Sequence, residues 1–138
     1  MESLGFEQKM NETARYKIIG VSLETRPDHV NSWEIKRFRK LGCTRVQIGV
    51  QHIDNTILNY VNRGHGVEHS IKAIKMLREN GFKVDVHVMP DLPGSDPEKD
   101  KIMMKTVLTS PDFSPDYMKI YPCLDVKFTK IREWKHGS

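Results

Sequence analysis

The sequence predicts an α/β fold in which about four parallel strands are joined by helical crossovers. Short runs rich in valine and isoleucine alternate with stretches of helical periodicity from Tyr16 onward, as in successive β/α units. Each run ends in a cluster of polar residues, glycine or proline, which is typical of a buried strand. The 138 residues have the length of one domain. We divide them into an N-terminal extension, residues 1–15, and a core domain, residues 16–138.

Four apolar runs are predicted to be the strands, and they span residues 18–23, 45–50, 84–89 and about 117–121. Four parallel strands do not close a barrel, because full closure takes about eight strands. We therefore expect an incomplete TIM-like barrel, either with exposed sheet edges or completed by strands of other sequence.

Helix signals fill the intervals between these runs. Asn31 and Glu34 resemble a capping box, and Gly42 stands where a helix ends. The apolar face of this first helix is predicted to contain Trp33, Phe38 and Leu41. A short helix is expected at residues 54–60 and a longer one at residues 68–79. A last helix begins at Ser95–Glu98, where a proline and carboxylates occupy its first turn.

Composition and charge exclude several classes of protein. The chain carries 22 Lys and Arg against 18 Asp and Glu, a formal charge of +4. This excess is spread along the sequence, so it permits a polyanionic partner without indicating one. No apolar run approaches the ~20 residues of a membrane span, so we expect no membrane association. Two cysteines far apart in sequence, Cys43 and Cys123, fit a reducing compartment, and we expect a cytoplasmic protein.

Polar residues follow the predicted strands at their carboxyl ends, where parallel α/β folds bind ligands. They are Glu24, Thr25 and Arg26, then Gln51 and His52, then His87, and finally Tyr121. Such a set suits a ligand with a diol, a carboxylate and an amine, because carboxylates and amides bind hydroxyls and arginine binds carboxylates. The alternative is that some polar residue must end every buried strand.

Five ordered motifs then resemble the catalytic subunit family of Elongator, radical S-adenosylmethionine (SAM) enzymes that modify the wobble uridine of tRNA. They are the segments 24–28 (ETRPD), 42–51 (GCTRVQIGVQ), 62–65 (NRGH), 89–93 (MPDLP) and 119–122 (KIYP). The resemblance covers roughly residue 18 to the C-terminus. It implies that residues 16–138 are part of a radical SAM core, a partial (β/α) barrel.

The resemblance also implies roles for individual residues. Glu24, Gln51, Arg63 and His87 would contact SAM. On the substrate side of the barrel it places Arg26, Lys119 and Tyr121. The partners it implies are tRNA and other Elongator-like subunits, or a polypeptide that completes the barrel. No residue is assigned a catalytic or metal-binding role.

The sequence departs from this family in its cysteines. The family's Cys-x3-Cys-x2-Cys motif cannot be written with Cys43 and Cys123, and a [4Fe–4S] cluster takes three or four thiolates held close together. We expect the two thiols at opposite ends of the sheet, and Cys43 buried. The family's acetyltransferase domain has no counterpart in this sequence either, so we expect the chain alone to be inactive.

Three interpretations follow. The chain is a segment or truncated homologue of the tRNA-modifying enzyme, or a non-catalytic remnant that binds tRNA or protein, or a decayed product without function. A two-histidine metal pair is a weaker possibility, because His65 and His69 lie four residues apart, but a solvated helix turn is the preferred interpretation.

Overall fold

A computed structural model describes residues 3–127 and 129–136, the side chains of residues 135 and 136 excepted. It contains the following helices and strands. They are α1 (Leu4–Thr13), β1 (Ser22–Thr25), α2 (Ser32–Lys40), β2 (Arg45–Gln51), α3 (Asn55–Tyr60), α4 (Val67–Glu79), β3 (Lys83–Val88), α5 (Pro97–Thr109), β4 (Tyr117–Ile120) and α6 (Lys130–His136), with a 3-10 turn at Pro27–His29.

The four strands form one parallel sheet in the order β1-β2-β3-β4. Helical crossovers connect each strand to the next, as predicted. The core lies between the sheet and these helices, where the side chains of the two central strands are fully buried: Val46, Ile48, Val50, Val84, Val86 and Val88. The predicted α/β sheet of four parallel strands is confirmed.

The first strand begins later than predicted. Residues 18–21 are not in the sheet, and Ile18 and Ile19 are exposed. The reason is that the neighbouring strand β2 starts at Arg45, which is paired with Ser22. Upstream of that pair, Asn11 takes the place of a partner strand. Its side chain accepts from the backbone N–H of Ile18 at 2.8 Å and donates to the carbonyl of Ile18 at 2.9 Å.

The first crossover helix begins where its cap predicts. The side chain of Asn31 accepts hydrogen bonds from the backbone N–H of Trp33 and of Glu34, each at 3.0 Å. This cap fixes the phase of α2, and the buried face is formed by Ile35 and Phe38. The assignment of Trp33 to that face was wrong. Trp33 is exposed and lies beside the guanidinium of Arg37, 5.7 Å from ring centroid to Cζ.

The last crossover helix depends on its N-terminal cap. The carboxylate of Asp96 accepts from the backbone N–H groups of Glu98 and Lys99 at 3.0 and 2.9 Å, and Pro97 occupies the first turn. The helix that follows buries Met103 and Val107 against the sheet. These contacts hold α5 in place between β3 and β4.

Replacement of this cap should destabilise the fold measurably. We expect Asp96→Ala to lower the free energy of unfolding by about 1 kcal/mol, because two N–H groups lose their acceptor. Urea denaturation followed by circular dichroism measures the change. Asp96→Asn is the matched control, since an asparagine caps about as well and should stay within ~0.5 kcal/mol of wild type. Equal losses in the two variants would contradict the role of the cap.

Candidate functional site

The strands present a second face, opposite the helices, that is polar. Because successive side chains of a strand alternate between faces, the burial of Val46, Ile48 and Val50 on one side sends their neighbours to the other. We call this second side the polar face. It is formed by Ser22, Glu24, Arg45, Gln47, Gly49, Asp85, His87, Tyr117 and Lys119.

A hydrogen-bond network crosses the polar face from β1 to β4. The amide oxygen of Gln47 lies 2.7 Å from Nζ of Lys119 and 3.0 Å from Nε2 of His87. The amide nitrogen of Gln47 donates to the hydroxyl of Ser22 at 3.0 Å. On its other side, Nδ1 of His87 lies 3.5 Å from a carboxylate oxygen of Glu24. Three predicted site residues therefore meet around a glutamine that the prediction missed.

The ring of His87 is largely enclosed by this network. Tyr121 packs edge-on against it with ring centroids 5.9 Å apart. Burial lowers the pKa of His87 below its usual value; the charge of Lys119 acts in the same direction, and the charges of Glu24 and Asp85 oppose it. The neutral imidazole is therefore favoured at neutral pH.

Gln51 and Arg63, which the resemblance assigns to SAM binding, both approach Gly49 of β2. A Cβ added to Gly49 would lie 2.7 Å from Nη2 of Arg63 and 2.9 Å from Nε2 of Gln51. Only a glycine therefore lets both side chains approach this point of β2. Gln51 itself has a φ of 67° and follows a register shift between β2 and β3. A positive φ is costly for a residue other than glycine and is most often kept at functional positions.

Arg63 is a half-buried cation with unused hydrogen-bonding capacity. Its Nε is buried and has no hydrogen-bond partner among the residues that the structure describes. Burial lowers its pKa, and the nearby charge of Arg26 lowers it further. The charges of Asp28 and Glu24 act in the opposite direction on this pKa, and the buried Nε suits a ligand group that accepts a hydrogen bond.

Arg26 does not extend freely into this space. Its guanidinium forms two hydrogen bonds with the carboxylate of Asp28, at 3.0 and 2.9 Å. Its Nη2 also lies over Gly64, 2.9 Å from the position of an added Cβ. The hydrogen bond and charge of Asp28 raise the pKa of Arg26. In this arrangement Arg26 joins the strand end to the Asn62–His65 loop.

The opposite end of the polar face is closed by an ion pair. Arg45 donates to both carboxylate oxygens of the buried Asp85, at 2.9 and 3.1 Å. The Arg45 guanidinium also lies 5.2 Å from the ring centroid of Tyr117. Because Arg45 and Asp85 neutralise each other and Tyr117 packs against the guanidinium, the three residues form a floor below the network rather than a second binding site.

A buried cluster next to the site, formed by His52, Ser95 and Asp100, resembles a catalytic triad. Its protons, however, are arranged differently from those of a triad. The backbone N–H of Asp54 donates to Nδ1 of His52 at 3.1 Å, so the ring proton is on Nε2. Nε2 lies 3.3 Å from Oγ of Ser95, and this hydroxyl donates to Asp100 at 2.7 Å. Burial lowers the pKa of His52. His52 cannot accept the serine proton, so the cluster links two loops instead of activating a nucleophile.

The two cysteines lie at opposite ends of the sheet, as predicted. Cys43 precedes β2 and Cys123 follows β4; both are buried, and neither is in a disulfide. Burial raises the pKa of Cys43. Within residues 3–127 and 129–136, no group of three His, Cys, Asp or Glu side chains could hold a metal ion. The positions of Cys43 and Cys123 do not fit a [4Fe–4S] cluster, which takes three or four thiolates.

His65 in the Asn62–His65 loop and His69 in the first turn of α4 have different surroundings. Nδ1 of His69 accepts from the backbone N–H of Gly66 at 3.2 Å and lies 3.1 Å from Glu68. The expectation that His65 lies in a solvated turn was wrong. His65 is 4% exposed, and within the described part of the chain neither of its ring nitrogens has a hydrogen-bond partner.

Comparison with known proteins agrees with this architecture. Residues 3–107 match the model of the radical SAM superfamily. The chain is 50% identical, over 99% of its length, to a tRNA uridine(34) acetyltransferase of Methanocaldococcus infernus, and 37% identical over 94% to Elongator complex protein 3 of Dictyostelium discoideum. It spans 26% and 23% of those relatives, about a quarter of their length.

A solved structure is similar as well. The archaeal Methanocaldococcus infernus Elp3, with its N-terminus deleted, superposes with a TM-score of 0.94 at 48% identity, covering 99% of this chain and 32% of that one. The resemblance to the Elongator catalytic subunit family is thereby confirmed, as is the interpretation of the sheet as part of a barrel. No helix in the part of the chain that the structure describes is long and apolar enough to cross a membrane. The family model covers most of the chain, and the chain therefore belongs to the radical SAM superfamily.

Proposed function

We propose that this chain forms the later strands of the radical SAM core in a protein that modifies the wobble uridine of tRNA. Within that core it contributes side chains that bind SAM and line the substrate side, and it contributes no thiolate to the cluster. The observation that carries the proposal is the pairing of Arg63 and Gln51 over Gly49 at the carboxyl end of β2.

The residues at this end fit the chemistry of SAM. SAM presents a carboxylate, an amine and a ribose diol. The buried, unpartnered Nε of Arg63 suits the carboxylate, because guanidinium groups bind carboxylates with charge-assisted hydrogen bonds. The amide of Gln51 and the carboxylate of Glu24, which is largely exposed, suit hydroxyl and amine donors. When bound, SAM would supply the radical chemistry typical of this superfamily.

His87 contributes to the same surface from β3. Its neutral ring can accept or donate a hydrogen bond beside Glu24, to which it lies within 3.5 Å. Lys119 and Tyr121 follow on β4 and after it, and we assign them to the substrate side. Arg26 is also assigned to the substrate side, and because its guanidinium is bound to Asp28 we propose that it holds the loop that carries Arg63 as well.

The tRNA substrate is proposed from the relatives. One is named for acetylation of tRNA uridine 34 and another as an Elongator complex protein. A formal charge of +4 is compatible with a phosphate backbone. We expect the cluster thiolates to come from outside these 138 residues. Two cysteines that form no disulfide and the tRNA substrate are consistent with a cytoplasmic protein.

The first test is SAM binding to the purified chain, measured by calorimetry. We expect measurable binding that Glu24→Ala and Gln51→Ala each weaken about tenfold or more, because a lost hydrogen bond to a charged or buried group costs about 1.5–3 kcal/mol. Glu7→Ala, on the exposed helix α1, is the control and should bind like wild type. A well-folded chain that binds no SAM would refute the assignment of this site.

The glycine at the centre of the site gives a second test. We expect Gly49→Ala to weaken SAM binding, because its new methyl group would occupy the space of the Arg63 guanidinium and the Gln51 amide. The fold should persist, since both are ends of flexible side chains. The control is Gly20→Ala, whose nearest neighbouring atom would be 3.8 Å away. Equal SAM affinity of Gly49→Ala and wild type would contradict the proposed approach of these residues to SAM.

The third test concerns the cluster. Anaerobic incubation with iron and sulfide should give no stoichiometric [4Fe–4S] absorption, because the two thiols lie at opposite ends of the sheet. A protein that contains the Cys-x3-Cys-x2-Cys motif, treated in parallel, shows that the procedure works. A stoichiometric cluster on this chain would show that our assignment of the missing ligands is wrong.

A further inference from the structure

The centre of the polar face is occupied by a neutral side chain, Gln47, whose role follows from the chemistry of its neighbours. Its amide oxygen is shared by Lys119 and His87, at 2.7 and 3.0 Å, and its amide nitrogen reaches Ser22 at 3.0 Å. Gln47 is on β2, while its three partners are on β1, β3 and β4. It is therefore the one residue of this network that contacts all three other strands.

Lys119 determines which way the Gln47 amide points. An ammonium group only donates hydrogen bonds, so the group that faces Nζ at 2.7 Å must be the amide oxygen. The reversed amide would place two donors against each other. The Ser22 hydroxyl, which can accept as well as donate, accommodates the amide nitrogen in this orientation.

This orientation in turn determines the proton position on His87. The amide oxygen can only accept, so Nε2 of His87, 3.0 Å away, must carry a proton. In the neutral ring the lone pair is then on Nδ1, which faces a Glu24 oxygen at 3.5 Å. The position of the ring proton is therefore set by the 3.0 Å contact with the Gln47 oxygen rather than by the 3.5 Å contact with the exposed Glu24 carboxylate, because hydrogen bonds weaken with distance.

We propose that Gln47 is a positioning residue that fixes the ring proton of His87 on Nε2, so that Nδ1 is presented as an acceptor beside the carboxylate of Glu24. Two acceptors side by side suit a ligand group that donates hydrogen bonds, either a hydroxyl or an ammonium. The inference rests on the proposed function, because it names what the SAM and substrate side of that site would recognise.

The charges around His87 are consistent with this role. Glu24 on β1 and Asp85 on β3 favour its protonated form, whereas burial and Lys119 on β4 disfavour it. The pKa of His87 lies below its usual value, so the ring is neutral above that pKa. On β2, the side chain that contacts His87 is the neutral amide of Gln47, and the charged residue of that strand, Arg45, is paired with Asp85. A carboxylate at this position would favour the protonated ring and remove the acceptor at Nδ1.

The test is the tautomer of His87 in the ligand-free chain, read from two-bond nitrogen–proton NMR correlations of the imidazole rings. Wild type should show the Nε2–H form. In Gln47→Met the acceptor at Nε2 is lost, and we expect the proton to move to Nδ1, where Glu24 can accept it. In Gln47→Glu we expect the pKa of His87 to rise by about 1–3 units, because an opposite charge is placed within hydrogen-bond distance.

His52 serves as an internal control in the same spectra. Its tautomer is fixed by the backbone N–H of Asp54, so it should be unchanged in a variant that remains folded. An Nδ1–H form of His87 in wild type would overturn the proposal. So would an unchanged tautomer and pKa of His87 in variants that keep the His52 signals. If Gln47→Met fails to fold, the proposal is tested by the His87 tautomer of wild type and by the pKa of His87 in Gln47→Glu.

The measurement requires no SAM. A chain with the expected tautomer that binds no SAM would refute the proposed function and leave the role of Gln47 intact. A chain that binds SAM with His87 in the Nδ1–H form would refute the role of Gln47 and leave the proposed function intact.

Discussion

The two central strands, β2 and β3, pair in parallel and bury six valine and isoleucine side chains on one face. This packing forces every second residue to the other face, and it does so in register across the sheet. Gly49 is therefore opposite His87, and Gln47 opposite Asp85. A slip of one residue would exchange the two faces and place the polar network in the apolar core. The burial of these six side chains thus positions the candidate site, although none of them belongs to it.

The site combines two kinds of constraint. At the level of Gly49, the absence of a side chain provides the space in which Gln51 and Arg63 meet. One layer below, Gln47 links its neighbours through directed hydrogen bonds. The Arg45–Asp85 ion pair runs from the level of Gln47, where Asp85 lies, toward the amino end of β2, and it satisfies a charge that is otherwise costly to bury. Space, hydrogen-bond direction and charge neutralisation are therefore arranged in successive layers from the carboxyl to the amino ends of the strands.

The sequence predicted the elements whose signals are local. Asn31, Asp96 and Gly42 start or end helices through contacts within a few residues, and each does so in the structure. The first strand was misplaced because its extent depends on where β2 begins, which is a long-range property. Trp33 was misassigned because the Asn31 cap, rather than hydrophobicity alone, sets the face of α2 that is buried. Gln47 was missed, although the alternation of Arg45, Gln47, Gly49 and Gln51 with buried apolar residues indicates a polar second face. The partners of each side chain on that face were beyond prediction, since they lie on other strands.

Spatial order in this sheet is identical to chain order: each strand lies beside the one that precedes it in the sequence. A ribosome that synthesises the chain from its N-terminus would therefore release each new strand next to a finished neighbour. No strand has to wait for a later, distant segment before it can pair, which keeps the loops that must close during folding short. Growth by addition at one edge also leaves that edge open at every stage. A strand that follows β4 in a chain of this topology would therefore pair at this same edge.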